Sequence, residues 1–148
     1  MIKIYSDAAY NPNTKEAGIG IQIIVGNQRV LNKLHIQSVF DNHLAEFIGL
    51  ISALNYIEAE YSLEQAILFY SDSKILIQSI DKKYSNHSEY QPALAYILDK
   101  IKLMELFFPK WIPEVENKGA DHLAKQALRL EGKLFKKIDK TVTDYSIL

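Results

Sequence analysis

The 148-residue sequence contains no cysteine, which excludes disulfide cross-links and thiolate metal ligands. Such a chain suits a reducing compartment. Proline occurs four times, glycine six times and tryptophan once, so neither a collagen-like nor a proline-rich low-complexity organisation is possible. No apolar run approaches the ~18 residues that a membrane span needs. The opening MIKIYSD carries charges at Lys3 and Asp7 and has no apolar stretch of leader length. A secretory leader is therefore not expected, and a cytoplasmic location is. Excess charge is lacking too: 17 Lys and Arg stand against 18 Asp and Glu, a formal net charge of −1. A dedicated nucleic-acid binder usually shows a basic excess, so any such role must be argued from a site. What remains is 48% hydrophobic and 24% charged. That is ordinary for one globular domain able to bury a core without staples.

Ile2 and Ile4 alternate with Lys3 and Tyr5, which predicts a short strand over residues 1–7. A turn-rich stretch over residues 8–16 follows, with Asn11, Pro12 and Asn13. The runs AGIGIQIIV and QRVLNKLHI, separated by Gly26-Asn27, read as a hairpin. From residue 43 the period changes: Leu44, Phe47, Ile48, Ile51, Leu54 and Ile57 mark one face of a helix, with Asn42 as its expected N-cap. AILFYS, residues 66–71, reads as a buried central strand. A short helix over 73–80, a polar loop, and a helix entered at Pro92 come next. Strand character over 107–115, broken by Pro109 and Pro113, belongs at a sheet edge. A last helix is expected over 120–130. The order β-β-β-α-β-α-α-β-α implies an α/β mixed sheet with helices on its faces, and no repeat or linker divides it. Trp111 reads as a core residue and His122 as a surface one.

Four acids fall at element ends in this reading. Asp7 ends the first strand, Glu46 lies in the first turn of the long helix, Asp72 follows the central strand, and Asp121 opens the last helix. Sites in α/β sheets gather beyond the carboxyl ends of strands, and helix N-terminal turns favour negative charge. Each acid taken alone is better explained by capping or a turn. Taken together, four carboxylates at one place repel one another unless a cation holds them. An all-oxygen ligand set favours hard ions such as Mg²⁺ or Mn²⁺. Two such ions ~4 Å apart can activate a water and stabilise the leaving oxygen in phosphodiester cleavage.

The segments around these acids resemble the type 1 ribonuclease H family. IYSDAAYNPNTKEAGIGIQI resembles its opening strand and glycine-rich second strand. NHLAEFIGLISAL resembles its Asn-x-x-x-Glu helix, and FYSDSKILIQSI its Asp-Ser strand end. WIPEVENKGADHLAKQAL resembles its closing Asn and Ala-Asp-x-Leu-Ala motif. The resemblance runs in order over residues 1–130. It implies a ribonuclease H-like fold with a five-stranded mixed sheet, a catalytic domain over residues 1–132 and a lysine-containing tail over 133–148. It also implies two-metal hydrolysis of the RNA strand of an RNA–DNA hybrid, giving 5′-phosphate and 3′-hydroxyl ends. Asp7 would bridge two Mg²⁺ ions, Asp121 would serve the nucleophilic-water side, and Glu46 and Asp72 the leaving-group side. No membrane association and no obligate protein partner are implied.

The chain also departs from the family pattern. Asn42 matches the first of a paired asparagine, but His43 replaces the second, either as a base-edge contact or as an exposed helix residue. Asp41 stands where a hydroxyl often binds phosphate, and would repel one. No histidine occupies the loop before Asp121. Glu114 or Glu116 is the candidate replacement, with solvated surface acids as the alternative. The catalytic strand begins at residue 2, so binding is expected to rest on local patches. Candidates are Ser73 and Lys74 beside the site, and Lys82, Lys83 and Tyr84, a basic and aromatic group suited to a phosphate backbone. Two competing functions share the fold: a catalytically silent nucleic-acid-binding domain, or another nuclease of the superfamily.

Overall fold

The computed structural model describes residues 1–148 as a single mixed sheet with helices on both faces. Strands β1 (Ile2–Asn11), β2 (Glu16–Val25) and β3 (Gln28–Ile36) form an antiparallel meander. Helix α1 (Asn42–Glu60) leads to β4 (Ala66–Ser71). Helices α2 (Lys74–Lys82) and α3 (Gln91–Ile101) precede β5 (Leu106–Trp111), and α4 (Lys118–Leu128) follows it. A last short strand, β6 (Lys136–Ile138), pairs in parallel with β3. The order across the sheet is β5-β4-β1-β2-β3-β6. The sheet therefore has six strands where five are expected. The sixth comes from the lysine-bearing C-terminal segment, in which Ile138 and Leu148 are buried and Asn55 Nδ2 donates to the carbonyls of Tyr145 and Leu148.

The two faces are packed differently. Ile2, Ile4, Ile19, Ile21, Ile23, Ile67 and Phe69 line the core face with α1, whose Phe47, Leu50, Ile51 and Leu54 are fully buried. The other face carries α4, seated on β2 where Gly18 and Gly20 remove two side chains. A Cβ on Gly18 would lie 2.2 Å from the Ala124 carbonyl oxygen, and one on Gly20 would lie 2.2 Å from that of Ala120. Ala120, Ala124 and Ala127 are the matching small residues of α4, all buried. The helix thus rests backbone on backbone.

Two local expectations change. Strand β1 does not stop at Asp7 but runs to Asn11. What ends near Asp7 is its parallel pairing with β4, last made at Tyr5 and Tyr70. The N-cap of α1 is Asp41 rather than Asn42: Asp41 Oδ1 accepts from the Leu44 amide at 2.7 Å, and its other oxygen accepts from the Tyr90 hydroxyl. Glu46 consequently lies in the second turn of the helix, not the first.

Candidate active site

The parallel register between β1 and β4 brings the first two acids together. Asp7 and Asp72 each sit two residues past the paired Tyr5 and Tyr70, so both project from the same face where the strands part. Glu46 reaches the gap from α1. Its Oε1 accepts from the Ala8 amide at 3.2 Å, and the same amide donates to Asp7 Oδ1 at 2.9 Å. Ligand oxygens of Asp7, Glu46 and Asp72 all lie within 4.8 Å of one another. Asp7 and Glu46 are only 7% and 5% exposed.

The electrostatics are those of an uncompensated cluster. Burial, and then the Asp72 charge, push the Asp7 carboxyl up to about 7. Burial, with Asp7 and Asp72 adding, holds Glu46 well above the usual carboxylate range. Asp72 is raised by burial too, and Glu114 and Asp121 contribute, while a hydrogen bond from Asn117 opposes the shift. Glu46 Oε2 is buried with no hydrogen-bond partner. An orphaned carboxylate oxygen facing two further carboxylates fits a divalent cation, which would satisfy it and neutralise its neighbours.

Asp121 stands beside this triad rather than in it. It is partly exposed and accepts from Lys125 Nζ at 2.9 Å, one turn further along α4. Its charge nevertheless acts on both Asp7 and Asp72.

A cleft of about 410 Å³ opens next to the triad, lined by Asn42, His43, Glu46, Asp72, Ser73, Lys74, Trp111 and Glu114 among others. Asn42, His43 and Lys74, expected from the sequence to touch substrate, are among its lining residues. Ser73 lines the cleft too, but its hydroxyl caps α2 by accepting from the Leu76 amide at 3.2 Å. Glu114 faces the cleft, whereas Glu116 is exposed and acts on Tyr5 instead. Lys82 and Tyr84 line a second, adjoining depression with Ile75, Ser85 and His87. Lys83 does not join them. It adopts φ 57° as the C-cap of α2 and borders a separate hollow with Ala95, Leu98 and Asp99.

Two residues of this region are not assigned to it by the sequence. Trp111 is 41% exposed rather than core. Its indole N–H donates to the Asp72 carbonyl at 3.1 Å, and Lys74 Nζ lies 5.1 Å from its ring centre. Trp111 ends β5, the edge strand of the sheet, which leaves the ring partly open to solvent. Asn117 is buried, donating to the Ser6 carbonyl at 2.8 Å and toward Asp72 at 3.4 Å. The Asn that precedes Ala-Asp-x-Leu-Ala in the sequence was its only signal.

A parted β1–β4 pair with clustered acids, flanked by α1 and α4, defines the ribonuclease H-like class. Solved structures share it. RNase H1 from the archaeon Halobacterium salinarum NRC-1 superposes with a TM-score of 0.77 at 22% identity, covering 86% of this chain and 97% of that one. LC11-RNase H1, isolated from compost by a metagenomic approach and crystallised with an RNA/DNA hybrid, superposes with a TM-score of 0.79 at 21% identity, covering 88% and 98%. A protein of Enterococcus faecalis (strain ATCC 700802 / V583) named "Putative hydrolase EbsB" is 42% identical over 130 residues, 87% of this chain and 95% of its own length. The reverse transcriptase-like family matches residues 5–127, and the chain belongs to that family.

Proposed function

We propose that this chain is a metal-dependent hydrolase that cuts the RNA strand of an RNA–DNA hybrid, leaving 5′-phosphate and 3′-hydroxyl ends. The observation that carries this reading is the triad of buried Asp7 and Glu46 with half-buried Asp72, and the orphaned Glu46 Oε2. Two Mg²⁺ ions, or Mn²⁺ in their place, would be held by these three residues, with Asp121 joining once Lys125 releases it. Bound there, the ions would lower the pKa of a water and neutralise charge on the phosphodiester. The chain's own residues do the rest. The Ala8 amide fixes Asp7 and Glu46 against each other. Asn117 and the Trp111 indole hold the Asp72 segment, one at its carboxylate and one at its carbonyl. Asn42 and His43, on the first turn of α1 and lining the cleft with Glu46, would meet the sugar edge, where the 2′-hydroxyl separates RNA from DNA. Lys74, steadied over Trp111, offers the cleft a cation for phosphate.

The decisive experiment incubates the protein with Mg²⁺ or Mn²⁺ and labelled RNA–DNA hybrid, RNA duplex and DNA duplex. Cleavage confined to the RNA strand of the hybrid is expected. Equal cutting of DNA duplex would make it a general nuclease, and no cutting with either ion would make it a silent binding domain.

A further inference from the structure

Helix α4 covers only part of its face of the sheet. It packs on β2, β1 and β3, and its N-terminus stops at Gln22, whose Nε2 lies 2.2 Å from where a Cβ on Gly119 would be. Beyond that point the sheet is bare. Register places Arg29, Lys3 and Phe108 in one cross-strand row and Tyr5, Tyr70 and Lys110 in the next. The row after these holds Asp7, with Asp72 just past the end of β4.

Three features of the bare face belong together. Lys3, Arg29 and Lys110 are exposed, and none forms an ion pair, although five ion pairs occur elsewhere. Neither row contains a carboxylate, although the Glu116 charge acts on Tyr5. Aromatic rings stand among the cations: Tyr5 and Tyr70 stack with centroids 4.7 Å apart, and Phe108 is 49% exposed. Unpaired cations beside an exposed phenylalanine and a partly exposed tyrosine stack suit a phosphate backbone whose bases are free to stack. That is a single strand, because a duplex hides its base faces.

We infer that this face is a second nucleic-acid site, taking the unpaired continuation of the strand held at the carboxylates. Its position beside the triad rests on the reading of that triad as a nuclease centre; its chemistry does not. Tyr5 leads to Asp7 and Tyr70 to Asp72 along their own strands, so a strand leaving the carboxylates meets the tyrosines next. The net charge of −1 is no obstacle, because three unpaired cations stand on this face and neither row holds a carboxylate.

The test is binding of labelled oligouridine in EDTA, which prevents any turnover. Wild type should bind. Lys3→Glu with Lys110→Glu should weaken binding at least about tenfold and flatten the salt dependence by about 0.7 per lost phosphate contact. Phe108→Ala should weaken it about tenfold with the slope unchanged, since stacking releases no counterions. Cleavage of a blunt hybrid should be unaffected by either variant. No binding by wild type, or binding indifferent to both variants, would overturn the second site whatever the cleavage assay returns. Oligouridine binding without any hybrid cleavage would leave this site standing and remove the nuclease reading alone.

Discussion

Two buried polar clusters touch α4, one near each end. Near its C-terminus, His35 is fully buried between α4 and β2. Its Nδ1 faces the Ala127 carbonyl at 2.9 Å and its Nε2 faces Glu16 Oε2 at 2.7 Å. Both ring nitrogens meet oxygen atoms, and the His35 bond lowers the Glu16 carboxyl. Near the N-terminus of α4, by contrast, Asp7, Glu46 and Asp72 crowd together, all raised, with one oxygen left unpartnered. The first cluster is complete within the chain and serves folding. The second is incomplete, and its missing partner must come from outside. Unsatisfied burial of like charges is what a fold tolerates at a working site and removes elsewhere.

The largest effect separating the two should come from Asp72→Asn. Hybrid cleavage should fall by about 10²–10³-fold or more, the scale on which removing one group from a preorganised electrostatic site acts. The melting temperature of the metal-free protein should rise, because a repulsion is relieved. Wild-type cleavage by the variant would remove Asp72 from the site.

The next effect is a pH dependence. The folded-state value of Asp7 is raised from 3.8 to about 7, so the folded protein keeps a proton that the unfolded chain gives up between those values. This stabilising contribution is full below about pH 4 and is lost as pH rises through 7, to an upper bound of about 4 kcal/mol. Metal-free melting temperature should therefore fall across this window. Asp7→Asn should flatten the fall, and added Mg²⁺ should restore stability at the alkaline end. A flat metal-free profile would mean that the triad is not frustrated.

His35→Ala should act in the opposite sense. Losing the buried ring and its bonds to the Ala127 carbonyl and to Glu16 should lower stability by about 3 kcal/mol, while cleavage per folded molecule stays near that of wild type. Urea unfolding and a rate normalised to folded protein read the two together.

The smallest effect belongs to Asp41→Thr. Charge alone predicts tighter hybrid binding from this change. In the structure both Asp41 oxygens are already engaged, by the Leu44 amide and the Tyr90 hydroxyl. Threonine still caps the helix but loses Tyr90, so stability should drop by about 1 kcal/mol with no gain in hybrid affinity. A salt titration of binding in Ca²⁺, beside a melting curve, checks both halves.

The same contrast explains what could be read in advance. Strand β4 and the Gly26-Asn27 turn were legible because periodicity and turn chemistry are local. The triad could be anticipated from the flanking motifs and from the convergence of β1 and β4, although neither Asp7 nor Glu46 lies at an element end. The N-cap was displaced by one residue because Asp41 and Asn42 both cap well, and only Tyr90, 49 positions away, decides between them. Strand β6 offers three residues, two of them lysine, and owes its existence to pairing with β3. The direction of Lys83 depends on a left-handed cap, and the exposure of Trp111 depends on the edge position of β5. None of these is a local property of sequence.

The seat of α4 on Gly18 and Gly20 has one more consequence. A helix resting on side chains inherits their rotamer hopping, and whatever it carries is blurred by the same amount. Resting on bare backbone, α4 inherits only the small excursions of a hydrogen-bonded sheet. Asp121, one residue past Ala120 at that contact, is therefore held at a sharply defined distance from Asp7, whose cross-strand neighbour is Gly20 itself. Two absent methyl groups act here as a ruler.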